Sequence, residues 1–221
     1  MPNTDGNDLP KLKRIVRTSI DILLLNDLHL IKYKANEVSI SSKLALYLSL
    51  FLKNYDVDIE YNREGFSVHP KNIDVYFPTI EQITDKQIPK KYQLLTDNLF
   101  GSNLSKLKDK DKLKDNYNFL LSDNNQFVKS KKNIRPDIIV HRRGDDKKNL
   151  LAIEIKKDND PESAYYDIIK LYHLRLKHNY RHAVFIQIMN KNEKIYCNLY
   201  WIYKNKNEIK FCKEIYPMSY K

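Results

Sequence analysis

Two carboxylates and a lysine sit on neighbouring strand-like segments of this chain. Ile134-Arg135-Pro136-Asp137-Ile138-Ile139-Val140 carries one acid, and Leu150-Leu151-Ala152-Ile153-Glu154-Ile155-Lys156 carries the other acid and the base. Asp137, Glu154 and Lys156 are residue types that can hold a divalent metal and act on a charged phosphodiester. Whether they meet depends on the chain between them. The runs 138–140 and 150–155 are short, apolar and rich in β-branched residues, as strands are. Arg143-Gly144-Asp145-Asp146-Lys147-Lys148-Asn149 is polar and carries turn residues. A hairpin centred near Asp146 sets Asp137 opposite Glu154 or Ile155, with cross-strand Cβ atoms roughly 5 Å apart. Glu154 and Lys156 are two positions apart and share one face, which leaves Leu151, Ile153 and Ile155 to pack on the other.

Chance is the competing explanation. The chain is 30% charged, and Glu208-Ile209-Lys210 repeats the Glu-x-Lys spacing. No Pro-Asp strand precedes that second copy through a hairpin, so it reads as a solvated strand face. The first copy differs in combination: two buried-looking strands each carry an acid at the matched end. Unpaired charges resist burial, so such a pairing needs a reason.

The elements that must position these residues follow from hydrophobic spacing. Residues 1–10 read as a loose polar tail, and 11–32 as one or two short helical segments with Ile15, Ile20, Leu23 and Leu24 inward. Asn36 opens a stronger helix to about Lys53, with Ile40, Leu44, Tyr47, Leu48 and Phe51 recurring at helical spacing. Residues 57–61 alternate as a first strand. The stretch 66–132 is the least regular, with a charged helix over 105–121. After the hairpin, Asp160-Pro161-Glu162-Ser163 is a helix start, leading to His178 with Ala164, Ile168, Leu171 and Leu174 inward. A strand over 183–189 and a closing hairpin, 195–203 with 209–215, complete the order. It predicts an α/β fold with a mixed central sheet flanked by helices.

Composition sets the bounds. At 221 residues, 42% of them apolar, the chain is long enough for one sizeable domain spanning 1–221. Only 4 glycines and 8 prolines argue against disorder and against a Gly-rich nucleotide loop. A net charge of +11 favours a polyanion. An AT-rich genome enriches lysine as well, so charge is supporting only. Cys197 and Cys212 have no metal-type spacing, could lie on neighbouring strands, and do not suggest a disulfide-stapled secreted protein. No signal peptide or membrane-length apolar run is visible, so a cytoplasmic protein without membrane attachment is expected.

The chain resembles the PD-(D/E)XK nuclease superfamily, the fold of many restriction enzymes and Holliday-junction resolvases. Pro136-Asp137 and Glu154-Ile155-Lys156 carry the resemblance, on elements in the order αβββαβ. It covers roughly residues 36–189, without the middle. It is closest to a group of small prokaryotic proteins in which a Glu-Tyr-Asn-Arg strand precedes an Arg-Pro-Asp-Ile-Ile-Val-His-Arg-Arg-Gly segment. Here these are Glu60-Tyr61-Asn62-Arg63 and the run from Arg135 to Gly144. The chain departs from that group in about sixty inserted residues, 66–132, between the first and second core strands.

The resemblance implies a restriction endonuclease-like core and a metal-dependent nuclease acting on DNA, branched or foreign DNA among its substrates. Asp137, Glu154 and the Ile155 carbonyl would ligate Mg²⁺ or Mn²⁺, ions that suit oxygen ligands. Lys156 would orient or help deprotonate the attacking water and offset transition-state charge. Glu37 would be a helix-borne acid of the site, and Glu60 competes for that role. Each also has a plain reading, Glu37 as a first-turn acid favoured by the helix dipole and Glu60 as an exposed strand carboxylate. Arg63, Arg135, His141, Arg142, Arg143, Lys157 and Lys170 are candidate nucleic-acid contacts. The group at 141–143 could equally be hairpin-end surface charge, and Lys170 a solvated helix lysine. Cutting both strands needs two sites, which a C2 homodimer would supply. The alternatives are a catalytically inactive nucleic-acid-binding module on the same fold, and an interaction protein whose charge only reflects genome composition.

Overall fold

The computed structural model describes residues 8–33, 35–61, 72–77, 128–157, 161–191, 194–205 and 208–217. Apolar alternation along the strands dictates a sheet covered on both faces. Six strands form it: β1 (Asp56–Ile59), β4 (Ile138–His141), β5 (Leu151–Lys157), β6 (His182–Lys191), β7 (Lys194–Asn205) and β8 (Glu208–Pro217), adjacent in that order. Only β5 and β6 pair in parallel; the other neighbours are antiparallel. A parallel pair needs a crossover, and α3 (Pro161–His178) provides it. Two further strands, β2 (Asn72–Phe77) and β3 (Val128–Asn133), form a separate antiparallel ribbon.

Two helices precede the sheet. The first, α1 (Leu9–Lys32), is two helical segments joined at a kink, within the expected one or two, and it starts inside the predicted tail. Its kink is at Asp27, which is non-helical and buried. The Tyr47 hydroxyl donates to Asp27, and Lys43 lies 3.3 Å from it, so packing against the next helix retains the bend. That helix, α2 (Glu37–Phe51), begins where Asn36 predicts: the Asn36 side chain accepts from the Ser39 amide at 2.8 Å. Phe51 departs from its expected core place and is exposed.

The two sheet faces bury different side chains. Ile138, Val140, Leu151, Ile153, Ile155, Val184, Ile186, Leu199 and Trp201 pack with α1 and α2. Ile139, Ala152, Ala183, Phe185 and Ile202 pack with α3 through Ala164, Ile168, Leu171 and Leu174. The fold is thus mixed α/β, a six-stranded mixed sheet between helices. The closing hairpin is present, and Lys210 is exposed as expected of a solvated face. The cysteines are not cross-strand partners, since Cys197 pairs with Tyr216 and Cys212 with Trp201; both are free thiols. The charged helix expected over 105–121 lies outside the described residues.

Candidate active site

The hairpin of β4 and β5 brings the first two acids together. Its register is Ile138 to Ile153, Ile139 to Ala152 and Val140 to Leu151, which continues to Asp137 opposite Glu154. The turn tightens into a 3₁₀ segment, Asp146–Lys148, and Gly144 adopts a left-handed φ of 79° there. Asp137 and Glu154 therefore point to the α3 side, following Ile139 and Ala152 by the two-residue period. The Ile155 amide donates to Asp137 Oδ2 at 2.6 Å. Burial pushes the Asp137 carboxyl up to about 6, although that bond and the Lys170 ammonium pull it down.

Helix α3 supplies two more groups. Lys170 Nζ lies 2.7 Å from Glu154 Oε1 and 3.0 Å from Asp167 Oδ1. Lys170 is not a solvated lysine: burial opposes its charge, but Glu154 and Asp167 outweigh that and hold the ammonium above its ordinary range. Its acid partners make it a part of the acid cluster. Glu154 is only 2% exposed. Burial raises its carboxyl well above the carboxylate range, and Lys170 offsets only part of this. Asp167 Oδ1 lies within reach as well, so Lys170 has two carboxyl partners.

Helix α2 reaches the site through its first residue. Lys156 Nζ lies 2.9 Å from Glu37 Oε2 and 3.7 Å from Asp167 Oδ2. Burial works against charge on Lys156, but Asp167 and Glu37 prevail and hold its ammonium above the usual lysine range. The Lys157 amide donates to Glu37 Oε1 at 3.4 Å, and Lys157 Nζ donates to the Ala35 carbonyl. Lys157 therefore ties α2 to β5.

No protein-family model matches the chain, and no curated protein or solved structure matches it either.

Several expected site residues lie elsewhere. Glu60 carries a left-handed φ of 48°, and its half-exposed carboxylate meets Arg135 Nη1 at 3.9 Å rather than Lys156. Of the two acids, Glu37 thus meets Lys156 and Glu60 meets Arg135. His141 is 3% exposed and lies 2.9 Å from Asp58 through Nε2, so it is no surface charge. Arg143 Nε donates to the same Asp58 at 2.9 Å, and its amide donates to Asp56. These bonds tie β4 and the turn after it to β1, and most of the Arg143 side chain stays exposed. Arg142 is exposed, and its backbone carbonyl accepts from the Asp145 amide within the turn. Arg63 lies outside the described residues. Asp167 was missed as a site residue. Its signal was a charged residue on the inward face of α3, one position before Ile168 and four before Leu171.

The donor set fits a hard divalent cation. Asp137, Glu154 and the Ile155 carbonyl present only oxygen, which suits Mg²⁺ or Mn²⁺. Four carboxylates (Glu37, Asp137, Glu154, Asp167) face two ammoniums (Lys156, Lys170), which leaves −2 when all are ionised. A divalent ion would balance that charge. Glu154 Oε1 and Asp167 Oδ2 are buried without an aligned hydrogen-bond donor, although an ammonium lies near each. Among the described residues no group of three or more His, Cys, Asp or Glu side chains is disposed to hold a metal. Asp137, Glu154 and the Ile155 carbonyl are thus the groups that would hold such an ion.

Proposed function

We propose that this chain is a metal-dependent nuclease that hydrolyses DNA phosphodiester bonds on a restriction endonuclease-like core. One observation carries the reading: Asp137, Glu154 and Lys156 converge at the same end of two paired strands, with Asp137 bonded to the Ile155 amide. The order of α2, β1, β4, β5, α3 and β6 supports it, since this is the αβββαβ order that the sequence resemblance implies.

Bound at Asp137, Glu154 and the Ile155 carbonyl, Mg²⁺ or Mn²⁺ would act as a Lewis acid on a phosphoryl oxygen and lower the pKa of a bound water. The chain's own groups do the rest. Lys156 is held as an ammonium by Glu37 and Asp167, so it orients the attacking water and offsets charge on the phosphorane-like transition state. The attacking water forms the new bond to phosphorus as the bond to the leaving 3′ oxygen breaks, and the proton it loses passes to solvent. Lys170 keeps Glu154 compensated until substrate arrives.

The test is cleavage of supercoiled plasmid with Mg²⁺ or Mn²⁺, comparing the intact chain with Asp137→Asn and Lys156→Met. Nicking or linearisation lost in both variants supports the reading. Activity that persists in both overturns it.

A second reading is a nucleic-acid-binding module on the same fold without catalysis. The Lys170–Glu154 pair favours it, because an internal ammonium already neutralises one of the acids a metal would use. Calorimetry with Mn²⁺ separates the two: heat abolished by Glu154→Gln supports the nuclease, and no heat supports the binding module.

A further inference from the structure

About two turns beyond Lys170, at the other end of α3, the surface folds into a cavity of about 560 Å³. Four cationic residues line it: Lys147, Arg175, Arg181 and Lys204. Each comes from a different segment: the 3₁₀ turn before β5, the last turn of α3, the entry to β6, and the end of β7. Among the described residues no carboxylate lines it. Its volume falls within the range of small-molecule sites.

A plain explanation covers part of this charge. Basic residues in the last turn of a helix offset its dipole, and Arg175 does so in α3. Lys147 and Lys204 lie on other segments and have no such role. Among the described residues neither meets a carboxylate within salt-bridge distance. Arg181 is partly neutralised, since its Nη1 lies 3.2 Å from Asp8 Oδ2. Arg175 is buried, and its Nε donates to the Arg181 carbonyl at 3.2 Å, which holds the guanidinium in a set position. A pre-set guanidinium among further cations is the arrangement that recognises phosphate. Leu176 and Ile209 add an apolar wall beside the charges.

We propose that this basic cavity binds a nucleotide unit. Lys147, Arg175, Arg181 and Lys204 would contact the phosphate, and Leu176 and Ile209 the sugar or base. The inference does not depend on catalysis at the acid cluster. The nucleotide unit comes either from a nucleic-acid strand or from a free nucleotide, and the experiment distinguishes these sources.

The experiment reads binding alone, at low salt with divalent ions chelated, so the outcome at the acid cluster cannot affect it. Fluorescence anisotropy follows a labelled single-stranded oligothymidine, and isothermal calorimetry follows AMP and pyrophosphate. The intact chain is compared with Lys147→Glu and Lys204→Glu, and with the milder Lys147→Gln/Lys204→Gln pair. Thermal melting checks that each variant folds. Oligothymidine weakened about tenfold or more by both reversals supports the site with a strand as its source. AMP and pyrophosphate weakened to that extent, with oligothymidine unchanged, support the site with a free nucleotide as its source. Binding of all three probes unchanged by the variants, or absent from the intact chain, overturns the proposal.

Discussion

Asp137 Oδ2 accepts a hydrogen bond from the Ile155 amide at 2.6 Å, so the acid entering β4 is anchored to the backbone of β5. The bond leaves Oδ1 for other partners and sets the first carboxylate beside the second. It also makes the pairing of β4 with β5 part of the site, because a one-residue slip would turn Asp137 to the opposite face.

Asp137 contributes to stability with an unusual sign. Burial raises its carboxyl from 3.8 to about 6, so the native state binds the proton more tightly than the unfolded chain. Stability therefore falls as pH rises through that window, and the penalty levels off above it. The full effect is about 3 kcal/mol, and roughly half of it is present at pH 5. Asp137→Asn should then unfold at higher urea than the intact chain at pH 8 in EDTA, with a smaller gap at pH 5. An equal or lower midpoint at pH 8 contradicts this account.

A divalent ion should reverse that penalty. Manganese at a hundredfold excess over its Kd stabilises by about 2.7 kcal/mol, which raises the melting temperature of a chain this long by about 5–10 °C. The rise should vanish in Asp137→Asn and in Glu154→Gln. A rise kept in both variants places the ion elsewhere.

Lys170 compensates a buried acid, and removing it should be costly. Lys170→Met leaves Glu154 without its ammonium and is expected to destabilise by about 3–5 kcal/mol at pH 8. Protonation of Glu154 softens the loss at lower pH, in keeping with its raised carboxyl. The double variant Lys170→Met/Glu154→Gln should recover part of the stability. Urea denaturation of the three variants checks this, and no recovery in the double variant contradicts the pairing.

The two cysteines should react at very different rates. Cys197 is fully buried on β7, and burial pushes its thiol far above the ordinary range. Cys212 on β8 is partly exposed. A thiol reagent should modify one cysteine in the native chain and two in denaturant, with mass spectrometry placing the first on Cys212. Early modification of Cys197 contradicts the buried placement.

The β4–β5 hairpin is legible in the amino-acid sequence because every cue to it is local. Polar turn residues, β-branched runs and a period of two specify which residues face each other, so Asp137 meets Glu154 as the spacing predicts. The capping chemistry at Asn36 and the inward positions of α2 and α3 are legible for the same reason. The remaining choices depend on how helices seat on the sheet. Glu37 rather than Glu60 reaches Lys156 because the start of α2 is tied to the end of β5, whereas Glu60 turns toward Arg135. His141 and Lys170 read as surface charges along the chain, yet Asp58 on β1 and Glu154 on β5 accept them in buried contacts. Local pattern governs pairs joined by a turn. Partners separated by 83 or 119 residues, as His141 is from Asp58 and Lys156 from Glu37, are chosen by packing of the whole core.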